Sequence, residues 1–426
     1  LKLRRSVAVA IALGISGCGL FTGDRVNPEV PSWYNRPSGA MHVFAHRELT
    51  AHGRTLGEDW ERGRPEIDPL HERVFVGSSD HGLYALRARD ATTLWRFETA
   101  GSVQSEPLYD AALDRVYFGS NDGALYALEA SSGALLFRYD TGAEVARKPV
   151  LYEETLVFAN AADHVFAIER RTGKPRWHTR RTPALGMEIS GHAGPAIDPA
   201  TGLVYMAFSD GHVTAYDVKD GAERWSPAVD LAAEAEQSAG DATRYLDVDT
   251  TPILDTHPQG HVVYVSSYAG GVTALDAATG ARVWLNERAV GVTDLALFME
   301  DAHLPNPHGP DRGGPPVSAK KVLVASSATT GLMGIDPFTG RVLWRNKMPE
   351  GGMTAPAQFA GALLVGTSRY GLFLLSPRNG KVIDGFDMGT GFAQAPAAFA
   401  GRAYVLTNAG TLMGIAVSPV LPVRGH

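Results

Sequence analysis

The chain has 426 residues, 44% of them hydrophobic and 20% charged, and its 47 glycines mark it as globular material unusually rich in turns. Its formal charge of −7 becomes about −10 once the first 17 residues, which hold Lys2, Arg4 and Arg5 and no acid, are set aside. A nucleic-acid binder needs a basic face to displace counterions from phosphates, so this balance argues against that class.

The only cysteine, Cys18, follows a basic start and an apolar run from Val7 to Ile15 that is too short to span a bilayer. Ile15-Ser16-Gly17-Cys18 resembles the bacterial lipobox, in which a signal peptidase cuts before an acylated cysteine. On that resemblance residues 1–17 are a signal peptide, Cys18 is the lipidation site, and 18–39 form a lipid-anchored tether rich in Pro, Gly and Asn. Gly19 stands where retention in the inner membrane would want Asp, so the expected location is the periplasmic side of the outer membrane. A remainder without cysteine suits an oxidising periplasm.

Residues 40–420 are expected to be the folded body. Met41 to Leu49 reads as one isolated strand. Beyond it a unit typified by Arg115 to Thr141 recurs eight times, with hairpin starts at Val74, Val116, Leu156, Val204, Val263, Val322, Leu363 and Ala403. The spacing is roughly 40 residues, stretched to roughly 60 at two places, which is the length of a four-stranded propeller blade. In the type unit, Val116 to Gly119 and Leu125 to Leu128 flank Asn121-Asp122-Gly123, the pattern of a hairpin. A proline opens a short innermost strand, A, ahead of strands B, C and D: Pro65, Pro107, Pro149, Pro195, Pro252, Pro315, Pro356 and Pro396.

The C–D turn carries a glycine four residues before an aromatic. Gly173 with Trp177, Gly221 with Trp225, Gly280 with Trp284 and Gly340 with Trp344 obey this, and Gly133 with Phe137 is a variant. In the first unit Ala91 precedes Trp95, and in the seventh Asp384 takes the aromatic's place. Glycine permits the turn, and Trp95, Phe137, Trp177, Trp225, Trp284 and Trp344 are expected to pack between neighbouring blades as structural docking residues. The eighth unit stops after its C strand, and Met41 to Leu49 can supply the missing D strand. The expected fold is therefore all-β: an eight-bladed β-propeller of four-stranded antiparallel blades closed by an N-terminal strand.

The pattern Val-Tyr-x-Gly-Ser-x-Asp-Gly-x-Leu-Tyr-Ala-Leu followed by Gly-x-x-x-Trp resembles the PQQ-type repeat with its tryptophan-docking motif, over nearly all of residues 60 to 417. Two branches of that superfamily are pertinent, the quinoprotein dehydrogenases and the BamB family of outer-membrane assembly lipoproteins. Lipobox, length, blade number and terminal closure all resemble the second. That resemblance implies a noncatalytic scaffold without cofactor, partnered with the outer-membrane β-barrel assembly machinery or its clients. The alternative is a PQQ-dependent quinoprotein-like periplasmic dehydrogenase or sensor.

Chemistry-bearing motifs are sparse. No Gly-x-Ser-x-Gly, Walker A or His-Glu-x-x-His pattern occurs. The inner ends of the A strands are expected to hold Arg62, Gln104, Arg147, Lys148, His192, Asp249, Thr354 and Gln394, a mixed set that forms no coherent anion or metal site. Extra residues lie at about Asp230 to Asp247 and Leu295 to Gly313, with fewer at Thr182 to Ser190. Each is expected to follow a D strand, so that all three leave on the face of the B–C turns and build one partner-binding lobe. Glu234, Glu236, Asp241, Asp301, His303, His308 and Arg312 are the candidate contacts within them.

Overall fold

The computed structural model describes residues 39–49, 61–182, 193–231, 248, 250–300, 321–347, 352–369, 371–387 and 390–418. Cys18, the signal peptide and nearly all of the tether lie outside them. The described strands form eight four-stranded antiparallel sheets. Seven blades are continuous in sequence, beginning with Glu66–Asp68, Arg73–Gly77, Gly82–Arg87 and Thr93–Glu98 as strands A to D of blade 1. Blade 8 takes A to C from Ala397–Phe399, Arg402–Leu406 and Thr411–Val417, and its D strand is Met41–Glu48. The closure expected from the sequence is thus present, and Ser418 N donates to Ala40 O at 2.8 Å where the two chain segments meet.

The apolar residues are distributed as stacking demands. B and C strands such as Arg115–Gly119 and Ala124–Glu129 are buried along nearly their whole length, because each blade is covered on both faces. The D strand Leu135–Asp140 alternates between exposed and half-buried positions, as an outer strand should. The core is divided accordingly: Tyr205, Val213 and Trp225 of blade 4 pack with Val263, Val265 and Leu275 of blade 5. Leu406 and Leu412 of blade 8 likewise pack with Val74 and Leu86 of blade 1, which seals the ring. Each such slab removes apolar area from water only when two blades meet, so a lone blade has little reason to fold.

One expectation is corrected. Pro315 does not open an A strand: that strand of blade 6 is Val292–Met299, paired antiparallel with Lys321–Ser327. Ala296, opposite Val324, occupies the place that proline holds in the other blades, and the strand is long enough to reach Met299 opposite Lys321. The third insertion therefore leaves between strands A and B, from Glu300 to Lys321, and its first residues, Leu295 to Met299, belong to the sheet.

Candidate functional site

The docking aromatics are built by two neighbouring blades. Trp95, Trp177, Trp225, Trp284 and Trp344 each donate an indole N–H to a backbone carbonyl of the next blade, at Ala130, Val218, Ala277, Pro337 and Pro377 respectively, over 2.8–3.2 Å. The turn glycine of that next blade lies against the ring. Gly340 has φ +70°, and a Cβ there would stand 2.6 Å from Trp284. Phe137 has no N–H to give and makes only the packing half of the contact, against Gly173. The glycine thus serves its own turn and the neighbour's aromatic together. These residues are fully engaged inside the ring.

The axial lining differs in part from the residues expected there. Arg64, Glu106, Lys148, Gly194, Thr251, Ala355 and Ala395 each immediately precede the A-strand proline, and Leu295 holds that place in blade 6; together with Asp294 they line an axial cavity of about 260 Å³. Of the expected channel residues, Arg147, Lys148 and Gln394 do line it. Arg62 is exposed outside this lining, and Gln104 and Thr354 are buried. His192 and Asp249 lie outside the described residues. Arg64, Glu106 and Asp294 were missed; the place one residue before the proline could have found the first two, whereas no proline marks the third.

The axial charges are largely compensated. Arg64 meets Glu106 at 2.8 Å and Lys148 meets Glu66 at 2.6 Å. Asp294 lies between the central cavity and a smaller one of about 170 Å³ formed with Thr293, Met353 and Phe392. Burial pushes the Asp294 carboxyl up to about 6, with Arg147 and Arg64 pulling against that rise and Glu106 adding to it. Pyrroloquinoline quinone, the group that the quinoprotein branch would imply, is a tricarboxylate and needs cations free to receive it. Arg64 and Lys148 are each held by a carboxylate, Arg147 stands in the field of the Asp294 carboxyl, and four of the eight axial positions are Gly, Thr or Ala, so the residues present do not fit that group.

Asp68, His71 and Asp114 come close enough to suggest a metal centre. Arg73 already supplies the positive charge: its Nε meets Asp68 at 2.7 Å and its Nη2 pairs with Asp114. The cluster is a brace between blades 1 and 2. The candidate contacts Asp301, His303, His308 and Arg312 lie outside the described residues, as do Glu234, Glu236 and Asp241.

What remains is surface. Connections D–A and B–C share one face of a propeller, and A–B and C–D share the other. The segments 183–192 and 232–247 are attached at adjacent junctions on the first face, between blades 3 and 4 and blades 4 and 5. The segment 301–320 is attached on the opposite face, between strands A and B, so the three segments do not share one face of attachment as the sequence led us to expect. The outer edges are blunted. A β-bulge interrupts the C–D ladder beside the docking residue, at Leu94, Leu136, Arg176, Val283, Leu343 and Ile383, and another interrupts the closing strand at Phe44. Bulged edges resist the addition of a further strand.

Comparison with known proteins agrees with this architecture. The family model described as outer membrane protein assembly factor BamB matches residues 79–305 and 303–418. Two similar relatives are outer membrane protein assembly factors BamB. The one from Yersinia pestis is 24% identical over 296 residues, covering 69% of this chain and 56% of that protein. The one from Legionella pneumophila is 24% identical over 217 residues, covering 51% and 49%. The chain thus spans about half the length of these relatives. Among solved structures, BamB from Moraxella catarrhalis superposes with a TM-score of 0.69 at 18% identity, over 88% of this chain and 99% of that one. The quinohemoprotein alcohol dehydrogenase from Comamonas testosteroni shares the fold at a TM-score of 0.61 and 14% identity, over 91% and 78%. With the family model covering most of the propeller, the chain belongs to the family of outer membrane protein assembly factor BamB.

Proposed function

We propose that this protein is a noncatalytic, lipid-anchored scaffold on the periplasmic side of the outer membrane, which presents one face of its propeller to the outer-membrane β-barrel assembly machinery or its clients. Membership of the BamB family across residues 79–418 carries this reading. Two features support it. The aromatics repeated along the chain are spent on blade stacking, and two of the three axial cations, Arg64 and Lys148, are paired with carboxylates. The face where 183–192 and 232–247 are attached departs from the repeat at two adjacent junctions, against one on the opposite face, and the contacts are assigned there.

The test is copurification. A tagged full-length chain expressed in its own host is expected to bring down the barrel-assembly complex, and Cys18→Ser is expected to abolish labelling with radioactive palmitate and to release the protein from outer-membrane fractions. Recovery of the tagged wild-type chain without any assembly component would overturn the role. Palmitate labelling that survives Cys18→Ser would overturn the anchor separately.

A further inference from the structure

The outer edge of blade 3 departs from its neighbours in charge. Between Glu169 and Thr182 the chain carries Arg170, Arg171, Lys174, Arg176, Arg180 and Arg181 with His178, in a protein of net charge −7. The D strand there is Pro175–Arg180, and Arg176, His178 and Arg180 are all exposed on it. His178 and Arg180 stand on the same side of the strand, about 6.6–6.8 Å apart along it, with the bulged Arg176 beside them.

The equivalent positions in the two preceding blades neutralise themselves. Arg96 meets Glu98 at 3.2 Å in blade 1, and Arg138 meets Asp140 at 2.5 Å in blade 2. By register, Glu98 faces Gly82, Asp140 faces Ala124 and Arg180 faces His164, so blade 3 has an arginine where the others have the acid. Nearby carboxylates are already committed. Glu154 holds Arg170 at 2.6 Å and Arg171 at 3.0 Å, and Asp210 holds Arg181 at 2.9 Å. Among the described residues neither Lys174 nor Arg180 has an acidic partner. The excess charge is felt locally: burial first, then Arg180 and His178, hold the His164 imidazole below its usual range.

We propose that this strip is a docking site for an extended, acidic segment of a partner protein, whose carboxylates pair with Lys174, Arg176 and Arg180. Guanidinium groups match carboxylates in a two-pronged geometry, and a row of them one strand wide on the rim follows a chain better than it meets a flat bilayer. The bulge at Arg176 breaks the backbone ladder, so side-chain charge carries the contact. The site needs neither the lipid anchor nor the assembly role proposed above.

The test is fluorescence anisotropy of the full-length protein with a labelled decapeptide of alternating Glu and Thr at about 50 mM salt, where the surface field is little screened. Binding is expected to weaken about tenfold in the Arg176→Glu, Arg180→Glu double variant and about tenfold at roughly 300 mM salt. Arg345→Glu on blade 6 is expected to leave it unchanged. Should the double reversal misfold by circular dichroism, Arg176→Gln with Arg180→Gln decides, with a loss of about threefold expected. No binding of the glutamate peptide would overturn the proposal. So would equal binding of a Lys-Thr decapeptide, indifference to the substitutions, or binding confined to phosphatidylglycerol vesicles.

Discussion

The carboxylate of Asp384 in blade 7 accepts the backbone N–H of Met41, the first residue of the closing strand, at 2.8 Å. Asp384 sits at the register position that Trp344 holds one blade earlier, opposite Leu374 where Trp344 is opposite Gly334. In blades 1 and 3 to 6 an indole N–H finds the carbonyl of an intact C–D turn. At blade 8 that turn is replaced by two chain segments, Val417 ending one strand and Met41 beginning another, so the group presented is a backbone donor. An acceptor is needed there, and the repeat's aromatic is replaced by an acid.

Asp384→Ala is accordingly expected to destabilise the ring by about 2 kcal/mol, since it leaves a buried N–H without its partner. Asp384→Trp restores the repeat's consensus and is expected to be no better, because an indole offers a second donor to a donor. Urea unfolding of both variants beside the wild type checks this, and a Trp variant as stable as wild type would contradict it.

The glycine and the tryptophan of a docking pair are expected to fail differently. Gly340→Ala forces a methyl to within 2.6 Å of Trp284 at a positive φ and is expected to cost about 2–3 kcal/mol. Trp284→Phe loses the 2.9 Å bond to Pro337 O and some packing area, at about 1–2 kcal/mol. Because the two residues touch, the double variant is expected to cost less than the sum, which a double-mutant cycle by thermal unfolding measures.

Asp294 makes stability depend on pH. Its folded carboxyl titrates near 6 against an ordinary value of 3.8, so the folded state binds the proton more tightly. The resulting stabilisation is fully present below about pH 4 and is lost as pH rises through about 6. A tenfold change in proton affinity is worth about 1.4 kcal/mol, and because the residue is only half-buried about 1–2 kcal/mol is expected in total. Asp294→Asn should raise stability by that amount at pH 7.5 and flatten the profile between pH 4 and 7. Parallel wild-type and variant urea midpoints across that range would count against this.

The two faces are expected to separate in partner capture. Replacing 232–247 with a short Gly-Ser linker should reduce recovery of the assembly complex by about tenfold, whereas the same replacement of 302–319, attached on the opposite face, should leave recovery near wild type. Quantitative pull-downs from detergent extracts read both, with thermal unfolding as the control for the fold. Loss on the second replacement alone would place the contact on the other face.

Much of the architecture was legible in the residues, for a physical reason. Each blade is specified by short-range chemistry: the turn at Asn121-Asp122-Gly123, the glycine four residues before Phe137, and the proline before Leu108. Eight copies of one weak signal make a strong one. The A strand of blade 6 was not legible because Ala296 stands where proline marks the others, and Pro315, further along, imitates the marker. The role of Asp384 was hidden, since its partner Met41 lies at the other end of the chain.

The sequence by itself determined the local units, their number and the closing strand, because turn and strand formation depend on neighbours a few residues apart. Only the tertiary structure decided which residues share a surface. It brought the pre-proline residues of seven blades, and Asp294 of blade 6, to one axis, attached 301–320 on the face opposite 232–247, and set Arg180 at the register position that Glu98 and Asp140 hold in the two preceding blades. Those relationships depend on how blades roughly 40 residues apart stack around a ring, and no local pattern encodes them.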